Sequence, residues 1–413
     1  MSSAPSFRVQ HVHVTAEGGK GRRLNAAKVA AKDEFYTQWA DVEREMNAYT
    51  EYDADVFRDK VILLPCDDPE CSNFTKFFAL HFVDYWIKKL ISTSLAPDSH
   101  PAGEFYAPTL FETEDPRFDA TKTRINGKRF VLEPKDINGD GVVNIDDLQW
   151  DYLDGNGDFR SDEVTALRNE ADIVITNPPF SLFREFVAWL IEGAVRFSII
   201  GHQNAITYAD VFPLIEQNRI WLGNGFPGNV THFGSPYEDT AVATDRREGM
   251  IRVSGVQWFT NIDHGRRHEP LQLMTMAENI RFSKHKEIRG VGYPAYDNYD
   301  AIEVPFSDAI PSDYDGIMGV PITFLNKHDP DQFEILGATQ RGCHDRVPDL
   351  KKYDDYREMR PDGTPTGSSG GKTNENANLA RNDGKKNYFI NDEGHVIQSA
   401  YQRLFIRRKG SPS

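Results

Sequence analysis

Residues 170–186 read EADIVITNPPFSLFREF, and this stretch decides the fold. Ile173, Val174 and Ile175 form an unbroken apolar run, the pattern of a strand buried on both faces. The run stops on Asn177-Pro178-Pro179-Phe180, and an amphipathic helix pattern follows. Two consecutive prolines fix φ at about −65° and supply no N–H, so the turn presents a rigid rim of carbonyl acceptors. A plain turn would use Gly, Asp or Ser. In an open α/β sheet, ligands sit beyond the carboxyl ends of the strands, where this polar knot falls. Asn177 adds a side-chain carbonyl and Phe180 a flat apolar face. Acceptors beside a ring suit an exocyclic amino group on a planar base.

The chemistry of such a group is specific. An adenine N6 is a poor nucleophile because its lone pair is delocalised into the ring. Two acceptors gripping its hydrogens favour a more pyramidal nitrogen, whose lone pair can attack a sulfonium methyl in line. Catalysis would then be positional and electrostatic, with no covalent intermediate. A base in a duplex must first leave the stack, and stacking on Phe180 offsets part of that cost.

Working outward, strand ADIVITN, helix SLFREFVAWLIEGA, strand RFSIIGH, helix YADVFPLIEQN and strand RIWLGN succeed one another. That alternation predicts an α/β fold with a mostly parallel sheet covered by helices on both faces. Upstream, DEFYTQWADVEREMNAY and SNFTKFFALHFVDYWIKK read as helices, and KVILLPCDDPE and KLISTSL carry strands. Residues 97–135 read as irregular or hairpin-like. After VQWFTNID the alternation fades, and from about residue 276 a loop-rich region begins. It contains RPDGTPTGSSGGKTNENANLARNDGKK, expected to be a mobile surface loop. Three parts result: a flexible basic arm over 1–32, a catalytic domain over 33–275 with an Asp/Asn/Gly-rich insertion at 136–147, and a C-terminal region over 276–413.

Composition limits the function classes without choosing among them. The 413 residues carry a formal net charge of −16. Residues 341–413 hold 14 Lys/Arg against 10 Asp/Glu, so a local basic face can still meet a polyanion. No run of about 18 apolar residues predicts a membrane span, and the N-terminus lacks the apolar core of a signal peptide. Cys66, Cys71 and Cys343 are too few and scattered for a disulfide framework or zinc knuckle. The expected location is the cytoplasm.

Several ordered blocks carry a family resemblance: DEFYTQ, GDFRSDE, EADIVITNPPFSLFREF, QNAITYADVFPLI, WFTNID, YDNYDAI and DYDGIMGVPITFL. Together with the acidic loop CDDPE and the SNF that follows it, they make residues 25–340 resemble the EcoRI-type adenine-specific DNA methyltransferases, with a weaker echo in YQRLFIRR. The resemblance implies a Rossmann-like methyltransferase fold with a seven-stranded, mostly parallel sheet and a C-terminal target-recognition region. It implies S-adenosyl-L-methionine as donor, double-stranded DNA as partner, and a cognate restriction endonuclease acting on the same site in a prokaryote or phage. Asn177, Pro178, Pro179 and Phe180 match the family's catalytic tetrad. Phe35, Tyr36 and Thr37 match the block that closes over the methionine end of the cofactor. Asp67 and Pro69 occupy the loop after the first strand, where the cofactor's amino acid or ribose lies. Asp158 and Phe159 match the positions that cap the cofactor's adenine amino group and pack its ring. One departure stands out: the loop PCDDPECSN holds no glycine, although close backbone approach to a cofactor commonly uses one.

A second motif, DINGDGVVNIDD at 136–147, fits the calcium-loop spacing through its first six positions. Asp136, Asn138, Asp140, the Val142 carbonyl and Asp147 would be the ligands of a structural Ca2+. A metal-free Asx-rich turn is the alternative. For DNA binding the candidates are Arg266 and Arg267 in HGRRHE and Arg403 and Arg407 in the last basic run. Trp258 and Phe259 are read either as a second face for an extruded base or as core. Transfer to RNA or to a protein glutamine amide shares the chemistry of the tetrad. A calcium-dependent binding module explains only residues 136–147.

Overall fold

A computed structural model describes residues 37–69, 72–99, 113, 115–226, 230–234, 250–339, 349–368, 376–381, 384–400 and 402–410. The expected arm over 1–32 lies outside the described residues. The central strands are β1 (Val61–Leu64), β2 (Lys89–Ser94), β3 (Lys128–Leu132), β4 (Gln149–Tyr152), β5 (Ile173–Thr176), β6 (Arg196–His202) and β7 (Trp221–Leu222). A hairpin, β8 (Val230–Gly234) with β9 (Met250–Ser254), precedes β10 (Val256–Thr260).

Strands β1 to β7 and β10 hydrogen-bond in the order β4-β3-β2-β1-β5-β6-β10-β7. β1, β2, β5 and β6 pair in parallel, whereas β3 and β10 run against their neighbours, so six of the eight strands point one way. The sheet is therefore mostly parallel, but it has eight strands among the described residues instead of the seven expected. The hairpin β3–β4 supplies two of the eight, and the 136–147 insertion lies in its connection. Its residues are mostly half-exposed, so β3 falls in the stretch expected to be irregular or hairpin-like and β4 carries no apolar run of its own.

Burial alternates along the central strands. Val61, Leu63, Ile91 and Val174 enter one apolar cluster, while Ile62, Leu64, Leu90, Ile173 and Ile175 enter the other. Successive side chains leave a strand on opposite faces, so two-sided burial requires this unbroken apolar sequence. Helices α1 (Trp39–Tyr52) and α2 (Asn73–Leu80) cover one face with Val42, Met46, Tyr49, Phe74, Phe77 and Phe78. After the short α3 (Lys122–Ile125), helices α4 (Asp162–Glu170), α5 (Phe183–Glu192) and α6 (Phe212–Glu216) cover the other. Ser72 and Ser161 cap α2 and α4, accepting from Phe74 and Thr75 N–H and from Val164 N–H.

The C-terminal region begins with α7 (Met276–Phe282) and forms two further sheets. Strands β11 (Ala301–Glu303), β12 (Ile317–Pro321), β13 (Phe333–Ala338) and β18 (Arg403–Arg408) assemble as β11-β12-β18-β13. Strands β14 (Tyr356–Met359), β15 (Asn378–Leu379), β16 (Tyr388–Asn391) and β17 (Val396–Ser399) assemble as β14-β16-β17-β15. Met318, Val320, Phe333, Leu404 and Ile406 share one apolar cluster with Phe212 and Ile215 of α6. The boundary expected at 275/276 thus divides the sequence but not the core. Within the stretch expected to be a mobile loop, Ala377, Asn378 and Leu379 are buried.

Candidate active site

The parallel strands β1 and β5 are neighbours, so their carboxyl ends place two loops side by side. Thr176 Oγ1 donates to Pro65 O at 2.7 Å and ties the loops together one residue before the Asn-Pro-Pro-Phe turn. Pro178 and Phe180 are buried, whereas Asn177 and Pro179 are partly exposed. Leu182 N–H donates to Pro179 O at 2.9 Å, turning the chain into α5. Phe180 is 7% exposed and meets Phe233 of β8 edge-on, with ring centroids 6.5 Å apart.

The loop after β1 is held by its own polar groups. Asp67 N–H donates to Thr93 O at 2.8 Å, Thr75 Oγ1 donates to Asp67 O at 3.1 Å, and Ser92 Oγ donates to the same carbonyl. Ser72 Oγ donates to Asp67 Oδ1 at 2.7 Å, while Asp67 Oδ2 is buried with no well-formed hydrogen bond, because the nearby Thr176 hydroxyl donates to Pro65 O. Burial pushes this carboxyl up to about 7, partly offset by the Thr176 and Ser72 hydroxyls. Beside it, Asn73 Nδ2 donates to Thr37 O at 2.8 Å, and Thr37 Oγ1 is also buried without a partner. Residues 72 and 73 at the start of α2 therefore join Asp67 and Thr37, each bringing an unsatisfied oxygen. Buried polar atoms are paired as a rule, and these two are among twelve exceptions in the described residues; what sets them apart is that they lie together, beside the start of α2 and the carboxyl end of β1. Pro69 is buried in the same loop, and Phe35 and Tyr36 lie outside the described residues.

Gly157 has φ of +84°, and a Cβ on it would collide with Ser94 O at the carboxyl end of β2. This glycine serves close backbone packing of its loop against β2 and Gly127. Asp158, next in sequence, is bound by Arg160 through Nε at 2.9 Å and Nη2 at 2.6 Å, which holds its carboxyl below the usual range. Arg160 also reaches Glu185 at 2.8 Å. Phe159 packs into the core against Phe186 and Trp189, at 4.8 and 5.6 Å between centroids.

The remaining candidates separate. Trp258 is fully buried, stacked on Phe226 at 5.8 Å, and Phe259 is core on the opposite face. Arg267 is 7% exposed, lies 3.7 Å over the Trp221 ring and pairs with Asp263. Arg403 grips Glu303 through Nε at 2.9 Å and Nη2 at 2.7 Å in the interior of the second sheet. Arg407 is half-exposed and pairs across the strands with Glu334 at 2.6 Å. Of the four arginines, Arg266 alone lines a large cavity described below.

In the insertion, Asp136 accepts from Gly139 and Gly141 N–H, Asn138 from Asp140, Asp140 from Val142, and Asp147 from Ile137, Asn138 and Asn144. Among the described residues no three His, Cys, Asp or Glu side chains come together as a metal cluster. The structure thus gives the ladder of Asx turns that the spacing also permits, and the proposed Ca2+ ligands Asp136, Asn138, Asp140, Val142 and Asp147 are not gathered into a cage. Ligand spacing and Asx-turn spacing coincide because both curl successive acceptors toward one centre.

Sequence reasoning missed two features. Glu45 of α1 is buried; it accepts from Asn224 N–H at 3.1 Å, Gly225 N–H at 3.2 Å and Tyr49 OH at 2.6 Å. Burial raises its carboxyl to about 7. Phe226 and Phe233 form an aromatic wall next to Phe180. Neither has a local signature, since each works through a partner far away in sequence.

A family model described as adenine-specific methyltransferase EcoRI matches residues 23–409. The chain is similar to type II methyltransferase M.EcoRI of Escherichia coli, 39% identical over 326 residues that cover 78% of this chain and 90% of the relative. It is 33% identical to type II methyltransferase M.MpnI of Mycoplasma pneumoniae over 76% of this chain and 84% of that relative. It is 32% identical to M.MgeORF184P of Mycoplasma genitalium over 76% and 85%. No solved structure matches.

Proposed function

The chain belongs to the EcoRI family of adenine-specific methyltransferases, and on that premise we propose that it moves a methyl group from S-adenosyl-L-methionine to adenine N6 in double-stranded DNA. The observation that carries the donor assignment is the pair of buried oxygens without partners, Thr37 Oγ1 and Asp67 Oδ2, beside the start of α2. A buried carboxylate suits the donor's ammonium, and a free hydroxyl suits its carboxylate. Asp158, on the loop held against β2 by Gly157, would meet the adenine amino group. When bound, the donor supplies an electrophilic sulfonium methyl.

The rest is the work of this chain's residues. Asn177 and the Pro178 carbonyl accept the two N6 hydrogens, hold the nitrogen in line and polarise it. As the N–C bond forms, one N6 proton leaves to solvent, so no strong base is required. Phe180 stacks the extruded base once Phe233 has moved aside with the β8–β9 hairpin, which pairs with no other sheet among the described residues. Target recognition falls to residues 276–413. The cell compartment is the bacterial cytoplasm, with a cognate endonuclease as partner; no helix among the described residues is long and apolar enough to cross a membrane.

The test is transfer of labelled methyl to plasmid DNA with N6-methyladenine identified in the product. Asn177→Ala should abolish transfer, a loss of at least about 100-fold in kcat, while donor binding measured by calorimetry stays near that of the parent. Unchanged turnover would remove Asn177 from the catalytic role.

A further inference from the structure

A cavity of about 490 Å³ lies between the catalytic sheet and the second sheet. Its walls are the 224–226 loop with Arg266, the 305–308 segment after β11, and Pro321, Thr323, Asn326 and Lys327 after β12. It does not include the Asn-Pro-Pro-Phe turn. The two sites share one partition: Phe226 lines the cavity and meets Phe233, which in turn meets Phe180.

Charge distinguishes this cavity. Arg266 donates through Nη1 to Asn224 O at 2.5 Å and makes no ion pair with a carboxylate among the described residues; neither does the exposed Lys327. The one carboxylate on the wall, Asp308, is already paired with Lys284 at 2.7 Å and hydrogen-bonded to His285 at 2.8 Å. Arg266, whose charge also acts on the buried Glu45 behind the 224–225 wall, and Lys327 thus place two cations without a direct ion pair among the described residues on one concavity, in a chain of net charge −16. A concave wall of one sign focuses the field and attracts an anion. Asn224, Ser307, Thr323 and Asn326 add neutral donors and acceptors, and Phe306, stacked on His285 at 3.7 Å, adds a preset aromatic face. The volume falls in the range of small-ligand sites, about 300–1,000 Å³.

We propose that this cavity is a second nucleotide subsite, which takes a backbone phosphate on Arg266 and Lys327 and lays the adjoining nucleoside along Phe306. It rests on the reading of DNA as substrate and adds a site beyond the methyl-transfer turn. Glu45 sets the position of the 224–225 wall from below through its two backbone N–H bonds.

The experiment uses the full chain, with Lys327→Ala and Arg266→Ala compared with the parent. Duplex binding is measured over a series of salt concentrations, donor binding by calorimetry, and transfer rates in single turnover. Lys327 is exposed, so its removal leaves the fold intact even if Arg266→Ala loosens the 224 loop. Each variant should weaken duplex binding about tenfold and lower the slope of log K against log salt by about 0.9, the share of a single neutralised phosphate. Donor binding and single-turnover transfer at saturating duplex should hold. Unchanged affinity and slope in both variants would overturn the proposal while leaving the methyl-transfer reading intact. A parent that binds no duplex would instead sink that reading. Competition with inorganic phosphate and with deoxyadenosine monophosphate separates the sources: loss of mononucleotide binding in Lys327→Ala with duplex binding unaltered assigns a free nucleotide and overturns the DNA subsite.

Discussion

Asp67 carries a cost that the donor's ammonium would relieve. Its carboxyl is raised from 3.8 to about 7 by burial, so in the folded chain it prefers the proton. A folded value above the unfolded one contributes stability that is full below about pH 4 and is lost as pH rises to about 7. Glu45, raised from 4.5 to about 7, adds the same sign over the same window. Urea unfolding without donor should therefore show stability falling as pH rises through that window, with a shallower fall in Asp67→Asn. Donor affinity should move the opposite way and increase as pH rises through 7, because the ammonium requires the carboxylate. In Asp67→Asn calorimetry should show at least about a tenfold loss of affinity, about 1.4 kcal/mol, with the pH dependence gone. The Asn-Pro-Pro-Phe turn was legible in the sequence as a candidate site because two prolines are costly anywhere backbone donors are needed. The orphan oxygens were not legible, since a missing partner shows only once neighbours are placed.

Helix α1 links three parts of the molecule. Thr37, just ahead of it, accepts from Asn73; Asp41 Oδ2 accepts from Thr231 Oγ1 of the β8 hairpin at 2.6 Å; and Glu45 holds the 224–225 loop. Amphipathicity predicted the helix, but not that its buried face would carry a carboxylate. Glu45→Gln offers one acceptor where two are used and should destabilise the fold by about 1–2 kcal/mol. Because the loop it positions lines the cavity, KM for duplex should rise while KM for the donor stays level, a split that steady-state kinetics reads directly. In the β3–β4 connection, Asp147 is held below its usual range by the Ile137, Asn144 and Asn138 N–H groups. A depressed value contributes stability above the unfolded pKa that disappears as pH falls through the folded one. Asp147→Ala should therefore lower Tm by a few degrees, equally with calcium and with chelator; a drop confined to calcium-loaded protein would restore the metal reading.

At the scale of the whole molecule, the chain's last strand fixes the architecture. β18 lies between β12 and β13, and Leu404 and Ile406, fully buried, pack with the helix face of the catalytic sheet. Leu404→Ala should cost about 2–5 kcal/mol, readable in denaturant unfolding. A fragment ending at residue 275 would leave Phe212, Ile215 and their neighbours uncovered and should aggregate instead of folding as an independent catalytic domain. Light scattering of the expressed fragment checks this. Arg403 and Arg407 read in the sequence as a phosphate-tracking run, yet strand alternation turns them onto Glu303 and Glu334. A basic run on a buried strand is a pairing element, and only the register reveals it.

The sequence alone determined the strands that are apolar on both faces, the order of the βα units and the polar turn at the end of β5. Each of these is a local consequence of burial and backbone donors. The tertiary structure decided which loops meet at the carboxyl ends, which cations are paired with carboxylates, and how far one core extends. Those depend on long-range neighbours, and a charge or a polar atom is free or spent only in relation to what folding brings beside it.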